Sequence, residues 1–222
     1  MKKVVLLSVM FVFLLACKNN KETKEVKTVE LLEKVDNSDF GMDSGYLPKG
    51  LEIGTLAPQI TMTTDKNEKV TLEDFYKNQP VVIIFYRGYW CPVCSKHLSE
   101  FAVRAKEIEN KGAKLIAISS ESYENVNKTR EKTNANFTII SDVDGSIMKA
   151  FDVNYNVTNE YQSMVADKLN ASIAETNATN EAVLPVPATY IINTEGKIVY
   201  KQFNPNYKVR ASIEDILNNL PK

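Results

Sequence analysis

The chain has 222 residues, 44% hydrophobic and 25% charged, with 27 basic against 28 acidic side chains. That composition excludes a wholly disordered, collagen-like or polytopic membrane protein, and a net charge of -1 gives no reason to expect binding to nucleic acid. One histidine argues against multi-histidine metal sites and three cysteines are too few for a disulfide scaffold, which leaves one soluble domain with cysteine chemistry.

Lys2 and Lys3 precede an apolar run from Val4 to Ala16 that is interrupted by Ser8. As a helix the run spans about 20 Å, short of the ~30 Å hydrocarbon core, so residues 1–16 read as a signal peptide rather than a membrane span. The end of the run, Leu14-Leu15-Ala16-Cys17, resembles the bacterial lipobox, in which the cysteine is acylated and becomes the mature N-terminus. The alternative is a plain secretory signal with an incidental cysteine. Lipidation of Cys17 implies a location in the bacterial cell envelope, lipid-anchored and facing the periplasm or in the outer membrane. It also leaves an even pair of thiols, Cys91 and Cys94.

Residues 17–45 read as a tether. They are Lys-, Glu- and Asn-rich to about Thr28, and Val29–Val35 has the pattern of a short amphipathic helix broken by the stretch from Asp36 to Gly45. The folded domain is expected over residues 46–222, with an insertion at about 154–184. Ile60–Thr63 and Lys69–Leu72 read as short strands around an Asp65–Asn67 turn. Val81 to Tyr86 is continuously apolar and β-branched, the pattern of a strand buried on both faces. From Pro92 to Lys111, Cys94, Leu98, Phe101, Ala105 and Ile108 recur at helical spacing, with Pro92 in the first turn and Gly112 as the stop.

Ala113–Ser119 reads as a buried strand, Tyr123–Lys132 as a polar helix, Phe137–Ile140 as a strand, and Ser146–Phe151 as a short helix after the Asp142–Gly145 turn. The Asn- and Ala-rich insertion shows no clear strand and weak helical periodicity at Met164, Leu169 and Ile173. Ala188–Ile192 and Lys197–Phe203 form a hairpin around Asn193–Gly196, and Ser212–Leu220 closes as a helix. This order predicts an α/β sandwich around a central mixed sheet with helices on both faces.

The informative segment is Phe85-Tyr-Arg-Gly-Tyr-Trp-Cys-Pro-Val-Cys94. A buried strand ends, a glycine loop follows, and Cys91 arrives at a helix start, where unpaired N–H groups and the helix dipole favour its thiolate. Cys94 lies one turn deeper and is placed to close a disulfide with Cys91, so the expectation is an exposed attacking sulfur and a sheltered resolving one. Pro92 and Val93 are expected to tune the potential. A static bridge over so short a loop contributes little, and zinc lacks two further ligands, so no metal and no cofactor are expected. Trp90 is expected to pack beside the dithiol. His97 reads as an exposed helix residue, with a general-base or ligand role as the alternative.

Trp-Cys-x-x-Cys after an apolar strand resembles the thioredoxin superfamily. The longer string Phe-Tyr-Arg-Gly-x-Trp-Cys-Pro-x-Cys is similar to the peroxiredoxin-like branch of the AhpC/TSA (redoxin) family. Gly54-x-x-Ala-Pro58, Ala117-Ile-Ser-x-Glu121, Ser141-Asp-x-Asp-Gly145 and Val186-Pro-Ala-Thr-Tyr-Ile-Ile-Asn193 extend the resemblance over about residues 50–210. It implies a thioredoxin-like fold and catalytic Cys91 and Cys94. Two departures stand out: Gly88 occupies the place of the threonine three before the peroxidatic cysteine, and Pro187 stands where an arginine precedes the late strand. Pro187 resembles the thioredoxin cis-proline, which implies a cis Val186–Pro187 bond and a Val186 backbone beside Cys91. Arg87 is a candidate replacement for the missing charge, the alternative being a surface arginine. The superfamily's buried acid, at the position of Phe85, is absent. Proton transfer then falls to water, Tyr86 or a carboxylate from elsewhere, and Tyr155 and Tyr161 are placed by nothing in the sequence.

Three readings follow. In the first, Cys91 reduces a hydroperoxide through a sulfenic acid, Cys94 condenses with it, and a thioredoxin-type dithiol reductant regenerates the pair. In the second, the same dithiol reduces protein disulfides in the cell envelope. The third is a non-enzymatic module that keeps the fold. The only membrane contact expected is the lipid anchor.

Overall fold

The computed structural model describes residues 37–43, 45–64 and 68–221. The signal peptide, Cys17, the Val29–Val35 helix and the Asp65–Asn67 turn lie outside the described residues. The packed chain reaches N-terminal of Tyr46. A 3-10 turn covers Asn37–Phe40, Met42 is buried and bridges Val157, and Asp43 N donates to the Asn156 carbonyl at 3.0 Å.

In chain order, β1 (Thr61–Thr63) pairs antiparallel with β2 (Lys69–Thr71), and α1 (Leu72–Tyr76) follows directly. Leu72 therefore opens a helix instead of ending a strand. Thr71 and Asp74 form a reciprocal capping box that satisfies the first N–H groups, a signal the strand reading passed over. Then come β3 (Val81–Phe85), α2 (Pro92–Asn110), β4 (Lys114–Ser119), α3 (Tyr123–Thr133), β5 (Thr138–Ser141) and α4 (Ser146–Ala150). The insertion holds β6 (Asn154–Asn156), α5 (Asn159–Leu169), α6 (Ile173–Thr176) and β7 (Val183–Pro185). Its two strands pair antiparallel, with Tyr155 opposite Leu184, so the expectation of no strand there is corrected. Three residues each are too few to show a period, and cross-strand burial of Tyr155 and Leu184 holds them. β8 (Ala188–Ile192), β9 (Ile198–Phe203) and α7 (Ile213–Asn219) complete the chain.

The central sheet has the order β5-β4-β3-β8-β9. β3, β4 and β5 run parallel, joined by α2 and α3, while β8 and β9 return antiparallel as a hairpin. All five side chains of β3 are buried because both faces of the sheet are covered. Val82 and Ile84 face a layer containing Leu98, Phe101 and Ile108 of α2, Val126 of α3 and Ile216 of α7. Val81, Ile83 and Phe85 face Leu72 and Phe75 of α1, Ile147 of α4, Phe151 and Tyr190. Each such side chain contributes about 1.5–3 kcal/mol on burial, which makes β3 the energetic centre of the domain. Among the described residues no helix is long and apolar enough to cross a membrane.

Candidate active site

The site forms where β3 stops pairing. Tyr86 to Trp90 make the loop that hands the chain from the sheet to α2, and Cys91 is the N-cap of that helix with Pro92 in its first turn. Cys91 Sγ accepts the Cys94 backbone N–H at 3.3 Å, as a cap oxygen would, so the sulfur completes the helix terminus. Both cysteines are free thiols, and both have an exposure of 0%. The expectation of an exposed attacking sulfur is thereby corrected: aromatic rings gathered around Arg87 cover Cys91.

Arg87 is 2% exposed. It donates from Nη2 to Cys91 Sγ at 3.1 Å and from Nη1 to the Tyr161 hydroxyl at 2.7 Å. The Tyr207 ring lies over its guanidinium, 3.6 Å from centroid to Cζ, with Trp90 at 5.5 Å and Tyr161 at 5.9 Å. The partner of its Nη2 is thus a cysteine sulfur rather than a carboxylate. Of the two sequence readings of Arg87, the surface one is excluded.

Cys94 has a separate cation. Arg210 Nη2 donates to Cys94 Sγ at 3.2 Å, while its Nε donates to the Tyr207 carbonyl at 2.7 Å. The next residue, Ala211, is held through its carbonyl by His97 Nε2 at 2.9 Å. His97 is therefore buried, against the expectation of an exposed helix residue, because the segment before α7 lies across that face of α2 and offers it a carbonyl. The two thiols ionise as one unit. Burial and the adjoining Cys94 push the Cys91 thiol up; Cys94 is held down, against its own burial, by Cys91 and by the guanidiniums of Arg210 and Arg87. The negative charge of the pair is thus shared toward Cys94, where the helix terminus alone predicts Cys91.

Behind the loop sits Glu121, just after β4, with an exposure of 0%. Its carboxylate accepts the Tyr89 backbone N–H at 2.7 Å and the Thr129 hydroxyl at 2.8 Å. Burial pushes its pKa up to about 7, and the charge on Cys94 acts in the same direction. Burial and the Glu121 charge in turn push the Tyr86 phenol above its ordinary range. Glu121 is thus a buried carboxylate near the loop, and the partners of its oxygens are Tyr89 and Thr129 rather than either sulfur.

Gly88 has φ +155°, and a Cβ there would lie 2.5 Å from Trp90 Nε1 and 3.1 Å from Glu121 Oε1. The indole thus fills the space that a larger residue at position 88 would need, which gives the missing threonine a physical reason. Trp90 itself is buried in one cluster with Cys91, Cys94, Tyr155 and Val186. Val186 donates its N–H to the Val153 carbonyl at 2.6 Å. None of the described peptide bonds is cis, so the expected cis Val186–Pro187 is corrected to trans. Val186 and Pro187 form the two-residue link from β7 to β8.

Tyr161, left unplaced by the sequence, bonds Arg87, and Tyr155 is buried beside the pair. Tyr207 and Arg210 were missed: Arg210 is 116 positions from Cys94 and no local pattern marks it. Glu121 carried a signal as a motif position, without a role. Among the described residues no three His, Cys, Asp or Glu side chains gather into a group that could hold a metal ion. A cleft of about 510 Å³ lined by Gln79, Glu109, Lys114 and Arg130 lies at the opposite end of the strands and contains neither sulfur.

Known proteins resemble this chain in sequence and in fold. The chain is 32% identical over 103 residues to the peroxiredoxin Bcp of Bacillus subtilis, covering 46% of this chain and 65% of that protein. It is 24% identical over 147 residues to the thiol-disulfide oxidoreductase ResA of the same organism, covering 66% of this chain and 64% of that protein. The matches therefore span just under two thirds of these relatives. Among solved structures, reduced Prx3 of Vibrio vulnificus in complex with hydrogen peroxide superposes with a TM-score of 0.61 at 17% identity, over 76% of this chain and 97% of that one. A peroxiredoxin-like protein of Aquifex aeolicus gives 0.59 at 20% identity, over 77% and 86%. At those identities the likeness concerns the fold, which is thioredoxin-like. The AhpC/TSA family model matches residues 53–201, more than half of the chain, and the protein belongs to the AhpC/TSA family.

Proposed function

We propose that the protein is a thiol peroxidase in which Cys91 reduces a hydroperoxide and Cys94 resolves the product. The supporting observation is the burial of Cys91 beneath Arg87 and its rings, with a guanidinium N–H on the sulfur at 3.1 Å. A small uncharged peroxide needs little room to reach such a sulfur, whereas a protein disulfide needs an open face. The Cys91 thiolate attacks the distal oxygen, the O–O bond breaks, and an alkoxide or hydroxide leaves with a proton. Arg87 offers N–H donors to the oxygens that gain charge. The reduced pair carries one negative charge that rests toward Cys94, so the attacking Cys91 thiolate forms as the Cys91 proton passes to Cys94, and that proton is then available to the leaving oxygen. Glu121 is a second proton store behind the loop.

A thioredoxin-type dithiol is the reductant we propose for the resulting disulfide. Lys2 to Ala16 followed by Cys17 supports a lipid-anchored location in the cell envelope. Envelope disulfide reduction is the second reading, favoured by the Trp-Cys-Pro-Val-Cys string and the ResA relative.

Mixing the reduced protein with hydrogen peroxide under stopped flow separates the two. The peroxidase reading expects oxidation above roughly 10⁴ M⁻¹s⁻¹, lost in Cys91→Ser, with a trappable sulfenic acid in Cys94→Ser. Oxidation no faster than a free thiol, together with rapid reduction of insulin-type disulfides, would give first place to the second reading.

A further inference from the structure

Each sulfur of the dithiol has its own guanidinium, and the two arrive from distant parts of the chain. Arg87 belongs to the loop before α2 and bonds Cys91; Arg210 belongs to the segment before α7 and bonds Cys94. The peroxide step uses Cys91 and Arg87, and nothing in it uses Arg210.

We propose that Arg210 is a catalytic residue of the resolving step, holding Cys94 as the thiolate that attacks the Cys91 sulfenic acid. The inference rests on the peroxidase reading. A fully buried thiolate without a compensating donor reverts to the thiol. The helix terminus does not supply that donor, because the Cys94 N–H is already given to Cys91 Sγ. Cys91 and the Arg87 guanidinium and backbone N–H also favour the charge on Cys94, but the Arg87 guanidinium is itself bonded to Cys91. The charged group within hydrogen-bond reach of Cys94 Sγ is Arg210. Its orientation is restrained by its Nε bond to the Tyr207 carbonyl and by the His97 bond to the next carbonyl in the chain.

The step balances. Once Cys91 is a sulfenic acid and the proton of the pair has gone to the leaving oxygen, Cys94 is the anion. Its sulfur attacks Cys91 Sγ, the S–S bond forms and the S–O bond breaks. The departing hydroxide takes one proton from the medium to become water. Both sulfurs end without charge, and Arg210 is released from its partner.

The test uses the full chain and its Arg210→Met and Arg210→Lys variants, oxidised by hydrogen peroxide under stopped flow. Cys91 oxidation depends on peroxide concentration and disulfide formation does not, so the two phases separate. Arg210→Met is expected to slow disulfide formation at least about tenfold more than it slows Cys91 oxidation. Dimedone-trapped sulfenic acid should accumulate, and the pH midpoint of the second phase should rise. Arg210→Lys is expected to restore part of the rate. A second phase unchanged in Arg210→Met, or both phases slowed equally, would overturn the assignment.

If the wild type forms no sulfenic acid, the peroxidase reading has failed by itself. Ultraviolet titration of the Cys94 thiolate in Cys91→Ser, with and without Arg210→Met, then decides. A raised midpoint keeps Arg210 as the counter-ion that activates Cys94 in disulfide exchange, and an unmoved one overturns it.

Discussion

The two faces of the central sheet are equally well buried, by opposite chemistry. On the α1 and α4 side, Phe85, Phe151 and Tyr190 form an aromatic cluster with ring centroids between 5.1 and 6.2 Å apart. On the α2 side the same depth of burial encloses Arg87, Glu121 and two thiols. The first face gains by removing apolar surface from water. The second must offset the desolvation of charge with specific partners, and it has them: sulfur for Arg87 and Arg210, N–H and O–H donors for Glu121. One face thus supplies the stability that lets the other carry reactive groups out of water.

The largest effect is expected on the apolar face. Phe151→Ala should lower the unfolding free energy by about 3–5 kcal/mol, read from urea denaturation. The alkylation rate of Cys91 in the remaining folded protein should stay near wild type. A changed rate would show that the faces are coupled through β3.

On the polar face the effect should depend on pH. The folded-state pKa of Glu121 is raised, to about 7 from 4.5, so the folded protein binds the extra proton. Its contribution is fully present below about pH 4.5 and is lost as pH rises through 7, by up to about 3 kcal/mol. Glu121→Gln should flatten that loss, so the variant gains on the wild type between pH 5 and pH 8. An equal change in unfolding free energy from pH 5 to pH 8 in wild type and variant, read from urea denaturation, would remove burial as the cause.

Gly88→Ala is a smaller perturbation at the seam of the site. The added Cβ must displace the indole, costing about 1–3 kcal/mol. Fluorescence of Trp90, the single tryptophan, should shift in the folded state. Smallest of all, Thr71→Ala removes the cap of α1, outside the dithiol face, and should cost about 1 kcal/mol with thiol reactivity unchanged.

How much of this was legible beforehand follows from the range of each interaction. The run from Val81 to Tyr86 announced its strand because burial on both faces demands an apolar residue at every step. The spacing from Cys94 to Ile108 announced α2 because one helical stripe faces the core. Cys91 at the N-cap was readable for the same reason, being set by four consecutive residues. Short elements were not: Thr71–Asp74 hid a cap behind a strand-like string, and β6 with β7 exists through pairing across the insertion.

The amino-acid sequence by itself determined the layered α/β order and the position of the dithiol at a helix start, because these depend on residues within a turn or a strand of one another. Only the tertiary structure decided that Cys91 is covered, that Arg87 is buried against it, and that Glu121 stands behind the loop. It alone brought Arg210 across 116 positions to Cys94. The physical reason is that charge pairing in a desolvated site depends on distance in space, and chain separation carries no record of it.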